Sequence, residues 1–386
     1  MRRSRKTFAF LATPVVLLTL VAGARYDYVR GASFAIQAAG IPGPARTVAV
    51  WTTANVVEID TSLPWRGGVL RGRVYRPDAV NGPATLLVPG VHAAGIEEPR
   101  LVEFARNLAS SGRVIVTVEL PDLQAYSITT RSTDMIEDAA LWLSTRSGFS
   151  HSGRIGMMGI SFAGGLSVVA AARPSLRERV VYVMSLGGHG DLPRTLRYLC
   201  TGIQPDGSRR PPHDYGLAII LLGVAGRVVP VGQAQPLRDA ILAYLHASQV
   251  DMWDKVQAEV EFNRAREMAG RLAEPARTWM TYVNDRDAAR LGPVLLPHLA
   301  SLGGDDALSP ARSAPPAAAV YLLHGMDDNV IPAIESKLLA EALVYRGVRA
   351  QLLITPLITH ANVDRSAGVG HAWQAVRFWS NLLDED

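Results

Sequence analysis

Three stretches of this chain carry residues that together could perform acyl transfer. In Gly159-Ile160-Ser161-Phe162-Ala163-Gly164 a serine stands between an apolar run, Arg154 to Ile160, and a small apolar segment with helical spacing, Phe162 to Ala172. A short, mostly apolar run reads as a parallel strand buried on both faces. A serine at such a junction projects from a tight strand-to-helix turn. The residues two before and two after it must be small, and Gly159 and Ala163 are. This is an elbow of the G-x-S-x-G type with alanine in the last position. Further on, Val320 to Leu323 runs into His324-Gly325, then Asp327-Asp328, then Val330-Ile331-Pro332. A third apolar run, Gln351 to Ile358, leads to His360. A serine hydroxyl is a weak nucleophile until a base takes its proton, and a carboxylate can orient that base. Alone, the first stretch could be a plain turn before an alanine-rich helix. A serine, an acid and a histidine in that order point to chemistry.

That order, with each residue at the C-terminal end of a strand, resembles the α/β hydrolases of the serine esterase and dienelactone-hydrolase-like kind. The resemblance covers roughly residues 56–187 and 316–384. It implies Ser161 as nucleophile, His360 as base and Asp328 as orienting acid. The spacing from Asp328 to Pro332 fits the family frame and leaves Asp327 as a solvated loop acid. His360 is read as ending the last strand, where the family places its histidine. His371, after Gly368-Val369-Gly370, is read as a surface or capping residue at a helix start. An oxyanion hole needs backbone N–H donors. The resemblance supplies one from Phe162 and one from the loop Pro89 to Gly95. There Val91 is the favoured donor. Pro89-Gly90 stands where many relatives have His-Gly, so His92 stays open as the alternative, and its ring could touch substrate.

The chain has 386 residues, 48% of them hydrophobic, ample for a large core. The net charge of +4 does not make it a nucleic-acid binder. Arg2, Arg3, Arg5 and Lys6 supply four of the 39 basic residues, and the other 35 equal the 35 acidic ones. The body therefore has no net basic field for phosphate. Residues 7–24 carry no charge and are largely apolar, ending in Ala22-Gly23-Ala24. Behind a basic start this reads as a signal peptide, or as a transmembrane anchor just long enough to span a bilayer. Both send the body out of the cytoplasm. Cys200 is the sole cysteine, so no intramolecular disulfide forms, and it is read as a small buried side chain. His189, His213, His246 and His298 are scattered singly, without metal-ligand spacing, and no dinucleotide or phosphate-loop fingerprint occurs. No metal and no cofactor is expected.

The chemistry needs elements to hold it. Residues 1–24 are the signal or anchor and 25–55 a linker or extension. Val56–Ile59 and Val69–Tyr75 read as an opening antiparallel pair. Strands at Thr85–Val88, Val114–Leu120, the elbow strand and Val180–Leu186 then alternate with helices. Such alternation gives a mostly parallel, doubly wound sheet. The first part of this α/β core is 56–187 and the second 313–386. Between them, residues 188–312 lose the alternation and read as a helical cap between strands 6 and 7. Gly187 to Gly190 is read as the hinge into it. Apolar cap helices, Leu217 to Ala225 among them, are expected above Ser161, giving a largely apolar pocket for esters with an apolar acyl or alkyl part. Leu217–Ala225 as ordinary cap core, or resting on the membrane near the N-terminal anchor, is the competing expectation. A thioesterase, lactonase or peptidase of the same fold, or a non-catalytic binding protein under a cap, would share most of these features. The triad residues favour catalysis on a small-molecule ester.

Overall fold

The structure, a computed structural model, describes residues 33–34, 54–149, 152–358 and 369–385. Residues 1–24, nearly all of 25–53, and His360 lie outside the described residues. Eight strands form one sheet: β1 (Val56–Trp65), β2 (Gly68–Pro77), β3 (Ala84–Val88), β4 (Ile115–Val118), β5 (Ile155–Ile160), β6 (Val180–Leu186), β7 (Ala319–Gly325) and β8 (Ala350–Thr355). Their order is β1-β2-β4-β3-β5-β6-β7-β8. β2 pairs antiparallel with both β1 and β4; the pairs from β4 to β8 are parallel. β3, β4 and β7 are buried throughout, which is why each reads as a continuous apolar run. The edge strand β1 alternates instead and leaves Val57 and Ile59 exposed. It runs through Pro64 to Trp65, well past the Ile59 end expected for it, so the hairpin turn is only Arg66-Gly67.

Helices cover both faces of the sheet. On one face, α1 (Pro99–Ser110) packs with the last helix of the chain, Val369–Leu383, against Tyr75, Met158, Tyr182 and Tyr321. Phe34, from the N-terminal extension, is buried there with its ring 4.4 Å from Trp379. Arg113 is wholly buried and donates to the Leu383 carbonyl at 2.6 Å, a cation at a helix C-terminus. The short α2 (Pro121–Gln124) follows β4. On the opposite face lie α3 (Thr130–Ser144) and α4 (Phe162–Ala171), joined by α12 (Ile334–Tyr345).

Between β6 and β7 come seven helices: α5 (Leu192–Thr201), α6 (Asp214–Val228), α7 (Val231–Val250), α8 (Lys255–Gly270), α9 (Ala276–Asn284), α10 (Ala288–Leu295) and α11 (Ala300–Gly303). Where the chain leaves and rejoins the sheet, the two stems are clasped. The buried Glu335 carboxylate accepts from the Gly190 and Asp191 N–H groups at 3.1 and 3.0 Å, and from Arg194 Nε at 2.6 Å. Asp191 caps α5 and takes a 2.7 Å bond from Arg312 on the returning stem. Burial alone would raise the Asp191 carboxyl, but the Arg312 and Arg194 hydrogen bonds outweigh it and hold it below the usual range. His189 donates from Nε2 to the Leu308 carbonyl at 2.8 Å, tying the same stems together. The stretch Gly187 to Gly190 is therefore held at Gly190 by the Glu335 side chain of α12 and at His189 by the Leu308 carbonyl of the returning stem.

Candidate active site

Ser161 sits between β5 and α4 with φ 55° and ψ −134°. A non-glycine residue there is strained, by about 1–3 kcal/mol, and persists only where its surroundings impose it. The imposition is visible. The Ser161 N–H donates to Leu186 on β6 at 2.8 Å, and the Ser161 carbonyl accepts from Gly164 at 2.8 Å. A Cβ on Gly159 would overlap the Ala163 carbonyl, so only glycine lets the turn close. Phe162 is the first residue of α4, where an N–H has no intrahelical acceptor and the helix dipole favours negative charge.

The loop after β3 lies directly against the elbow. A Cβ on Gly90 would stand 3.3 Å from Ser161 Cβ and 3.3 Å from the Ile160 carbonyl oxygen. Val91 and His92 follow, and both line a cavity of about 610 Å³ that also contains Ser161. His92 Nδ1 accepts from the Ala94 N–H at 3.1 Å, which puts the ring proton on Nε2. Burial holds this imidazole below its usual pKa, with Glu98 opposing. The ring is thus neutral near pH 7.

Asp328 is 1% exposed, and its Oδ1 accepts from the Val330 and Ile331 N–H groups at 2.8 and 3.0 Å. Its Oδ2 is 3.4 Å from His324 Nε2. His324 is fully buried. It donates from Nε2 to the Ile331 carbonyl at 2.8 Å and accepts at Nδ1 from Ser336 at 2.7 Å, so it shapes the acid loop from beneath. Asp327 projects outward, its side chain 73% exposed and paired with Arg210 at 3.2 Å. β8 ends at Thr355, five residues before His360, so the histidine expected to end that strand belongs to the segment beyond it. His371 is the third residue of the helix Val369–Leu383, α13, and its Nδ1 is buried without a partner among the described residues.

The cap walls the cavity with Tyr215, Gln249, Met252 and Phe262. Leu217, Ala218, Ile220, Leu221, Val224 and Ala225 are buried in the main core and are not part of the cavity wall. The apolar run expected above Ser161 is cap core. The formal charges on the wall are matched: Arg100 with Glu98 at 2.6 Å, Lys255 with Asp251 at 3.0 Å, Arg286 with Asp214 at 3.3 Å, and Asp327 with Arg210. Sequence reasoning missed Tyr215 and Tyr126, which meet the loop after β3 only through tertiary contacts, and Gln249, which bonds Tyr126; no motif marks them. No group of three or more potential metal-ligating side chains occurs among the described residues. Cys200 is buried and its thiol is pushed up to about 12 by burial.

No protein-family model matches the chain, and no curated protein does. Among solved structures, an esterase of Pyrobaculum calidifontis is similar at 16% identity, over 94% of this chain and 92% of that one, with a TM-score of 0.45. Carboxyl esterase 2 of the fungus Tuber melanosporum is similar at 14% identity over 85% of each chain, TM-score 0.49. A thermostable carboxylesterase cloned from a metagenomic library is similar at 16% identity, over 87% of this chain and 90% of that one, TM-score 0.46. The fold stands on the chain's own architecture. An eight-stranded sheet in the order 1-2-4-3-5-6-7-8, reversed only at β2, with a strained serine elbow between β5 and its helix, is the α/β-hydrolase fold.

Proposed function

We propose that this protein is a serine hydrolase that cleaves carboxylic esters with an apolar acyl or alkyl part. Ser161 acts as nucleophile, His360 as base and Asp328 as the acid that orients the base. The observation that carries this reading is the strained backbone of Ser161 at the edge of a cavity, a conformation that an ordinary turn serine has no reason to hold. The hydroxyl attacks the ester carbonyl while His360 takes its proton. The oxyanion is stabilised by the Phe162 N–H and by the loop at Val91. Return of the proton to the leaving alkoxide releases the alcohol and leaves an acyl-enzyme. Water then repeats the cycle, and the acid leaves. Because each charge on the cavity wall already has an opposite partner, a charged substrate gains little there, whereas Leu101, Val330, Met252 and Phe262 offer apolar contact.

Labelling with a fluorophosphonate probe tests the nucleophile. Wild type should label and Ser161→Ala should not. Equal labelling of the two, or no labelling of folded wild type, would sink the reading. From residues 1–24 we further propose export, or anchoring through residues 7–24, with the body outside the cytoplasm. Among the described residues no helix is long and apolar enough to cross a membrane. Recovery of the protein in the cytosolic fraction with its N-terminus intact would contradict this address.

A further inference from the structure

The loop after β3 is held from the cap as well as from the core. His213 caps α6 by accepting from the Tyr215 N–H at 3.2 Å, which sets Tyr215 in the first turn of that helix. The Tyr215 hydroxyl donates to the Val91 carbonyl at 3.2 Å. Burial raises its pKa well above that of an ordinary phenol, so the donor proton stays in place. Tyr126 flanks the same loop. Its hydroxyl accepts from Gln249 Nε2, at the end of α7, at 2.6 Å and meets the Ala93 backbone. Its ring lies 6.1 Å from that of Tyr215, edge to face. Tyr126 has φ 58°, a strained backbone beside the same loop.

The Val91 carbonyl and the His92 N–H belong to one planar trans peptide and point in opposite directions. A bond that fixes the carbonyl fixes the plane, and opposes a flip that would exchange donor and acceptor. On the preceding side, Gly90 is wedged against Ser161. The Val91 N–H therefore lies between two constraints, one from the elbow and one from the cap. The same stretch of cap also grips the acid loop. The His213 N–H and the Tyr198 hydroxyl both donate to the Asn329 carbonyl, at 2.8 and 3.2 Å. Arg210 donates to the Met326 carbonyl at 3.2 Å.

We propose that Tyr215 is a positioning residue that latches the cap to the oxyanion loop, so that seating the cap and preforming the oxyanion hole are one event. The proposal rests on the reading of Ser161 as nucleophile. It is tested with the full chain, using p-nitrophenyl butyrate as substrate and phenylboronic acid as a tetrahedral-adduct inhibitor. Tyr215→Phe removes one oxygen atom and keeps the ring. It should lower kcat roughly tenfold with KM within about twofold, less than loss of a direct oxyanion donor costs. The inhibition constant of phenylboronic acid should rise by a similar factor. Gln249→Met releases the other end of the clamp and should move kcat in the same direction. It serves as the deciding variant if Tyr215→Phe does not fold. An unchanged kcat, or a rise in KM alone, would show Tyr215 to be pocket wall and overturn the latch. If folded wild type neither turns over ester nor reacts with a fluorophosphonate, the hydrolase reading itself falls. If turnover depends on Ser161 and Tyr215→Phe matches wild type, only the latch falls.

Discussion

Gly90 and Ser161 are packed so closely that a methyl group added to Gly90 would lie 3.3 Å from the serine Cβ. The elbow cannot retreat. Ser161 is bonded to β6 through Leu186, and Gly159 pairs with Val88 in the sheet. A side chain at residue 90 must therefore push its own loop, and the proposed Val91 donor with it. Gly90→Ala is expected to lower kcat about tenfold, since small misplacements of transition-state groups cost that much or more. Gly90→Val should be worse, with thermal midpoints that fall less than activity does. Steady-state kinetics beside thermal melts checks this, and an Ala variant as fast as wild type would contradict it.

The elbow strain makes a separate prediction about stability. Ser161→Ala keeps the positive φ and its cost, whereas Ser161→Gly relieves it. The glycine variant should be more stable than the alanine variant by about 1 kcal/mol. Both should lose activity by at least about a thousandfold. Chemical denaturation of the two variants reads the difference. A less stable glycine variant would mean that the strain is not stored at this residue.

Asp328 and Asp327 are neighbours with opposite surroundings, one buried under backbone donors and one in solvent. Asp328→Asn keeps an oxygen for the Val330 and Ile331 N–H groups but removes the charge. It should lower kcat by roughly three to four orders of magnitude if Asp328 orients the base. Asp327→Asn should stay within about twofold, because it loses only an exposed ion pair. The reverse ranking would assign the acid role to Asp327.

His189 makes stability depend on pH. Burial lowers its pKa, and although Glu335 and Asp191 favour the cation and Arg194 opposes it, the ring stays neutral in the folded protein. In the unfolded chain it titrates near ~6.5. Below that pH, down to the lowered folded value, the unfolded state binds the extra proton, so stability falls as pH falls. His92, also lowered by burial, acts in the same direction. The thermal midpoint should drop between about pH 7 and pH 5. His189→Gln should be less stable at pH 7 but show a flatter profile. An equally steep profile in that variant would exclude His189 as the source.

The elbow, the strands and the acid loop were legible in the chain because their causes are local. A strand buried on both faces needs a continuous apolar run, as in Ala84–Val88 and Ala319–Gly325. A turn whose backbone nearly touches itself needs glycine at residue 159. The choice between Asp327 and Asp328 was framed by spacing, but it took packing to show one carboxylate buried and the other in water. The helix carrying Leu217–Ala225 is apolar around most of its surface. That pattern encodes burial without naming the partner, and it was the tertiary structure that put these residues in the cap core and left the cavity to Met252, Phe262 and paired charges. The contacts that grip the loop after β3 lie furthest from anything the sequence could announce. Tyr215 is 124 residues from Val91, and Gln249 is 123 from Tyr126. A hydroxyl that meets one backbone carbonyl across such a separation leaves no periodicity or spacing behind. It exists only because the clasped stems seat the cap over the ends of the strands.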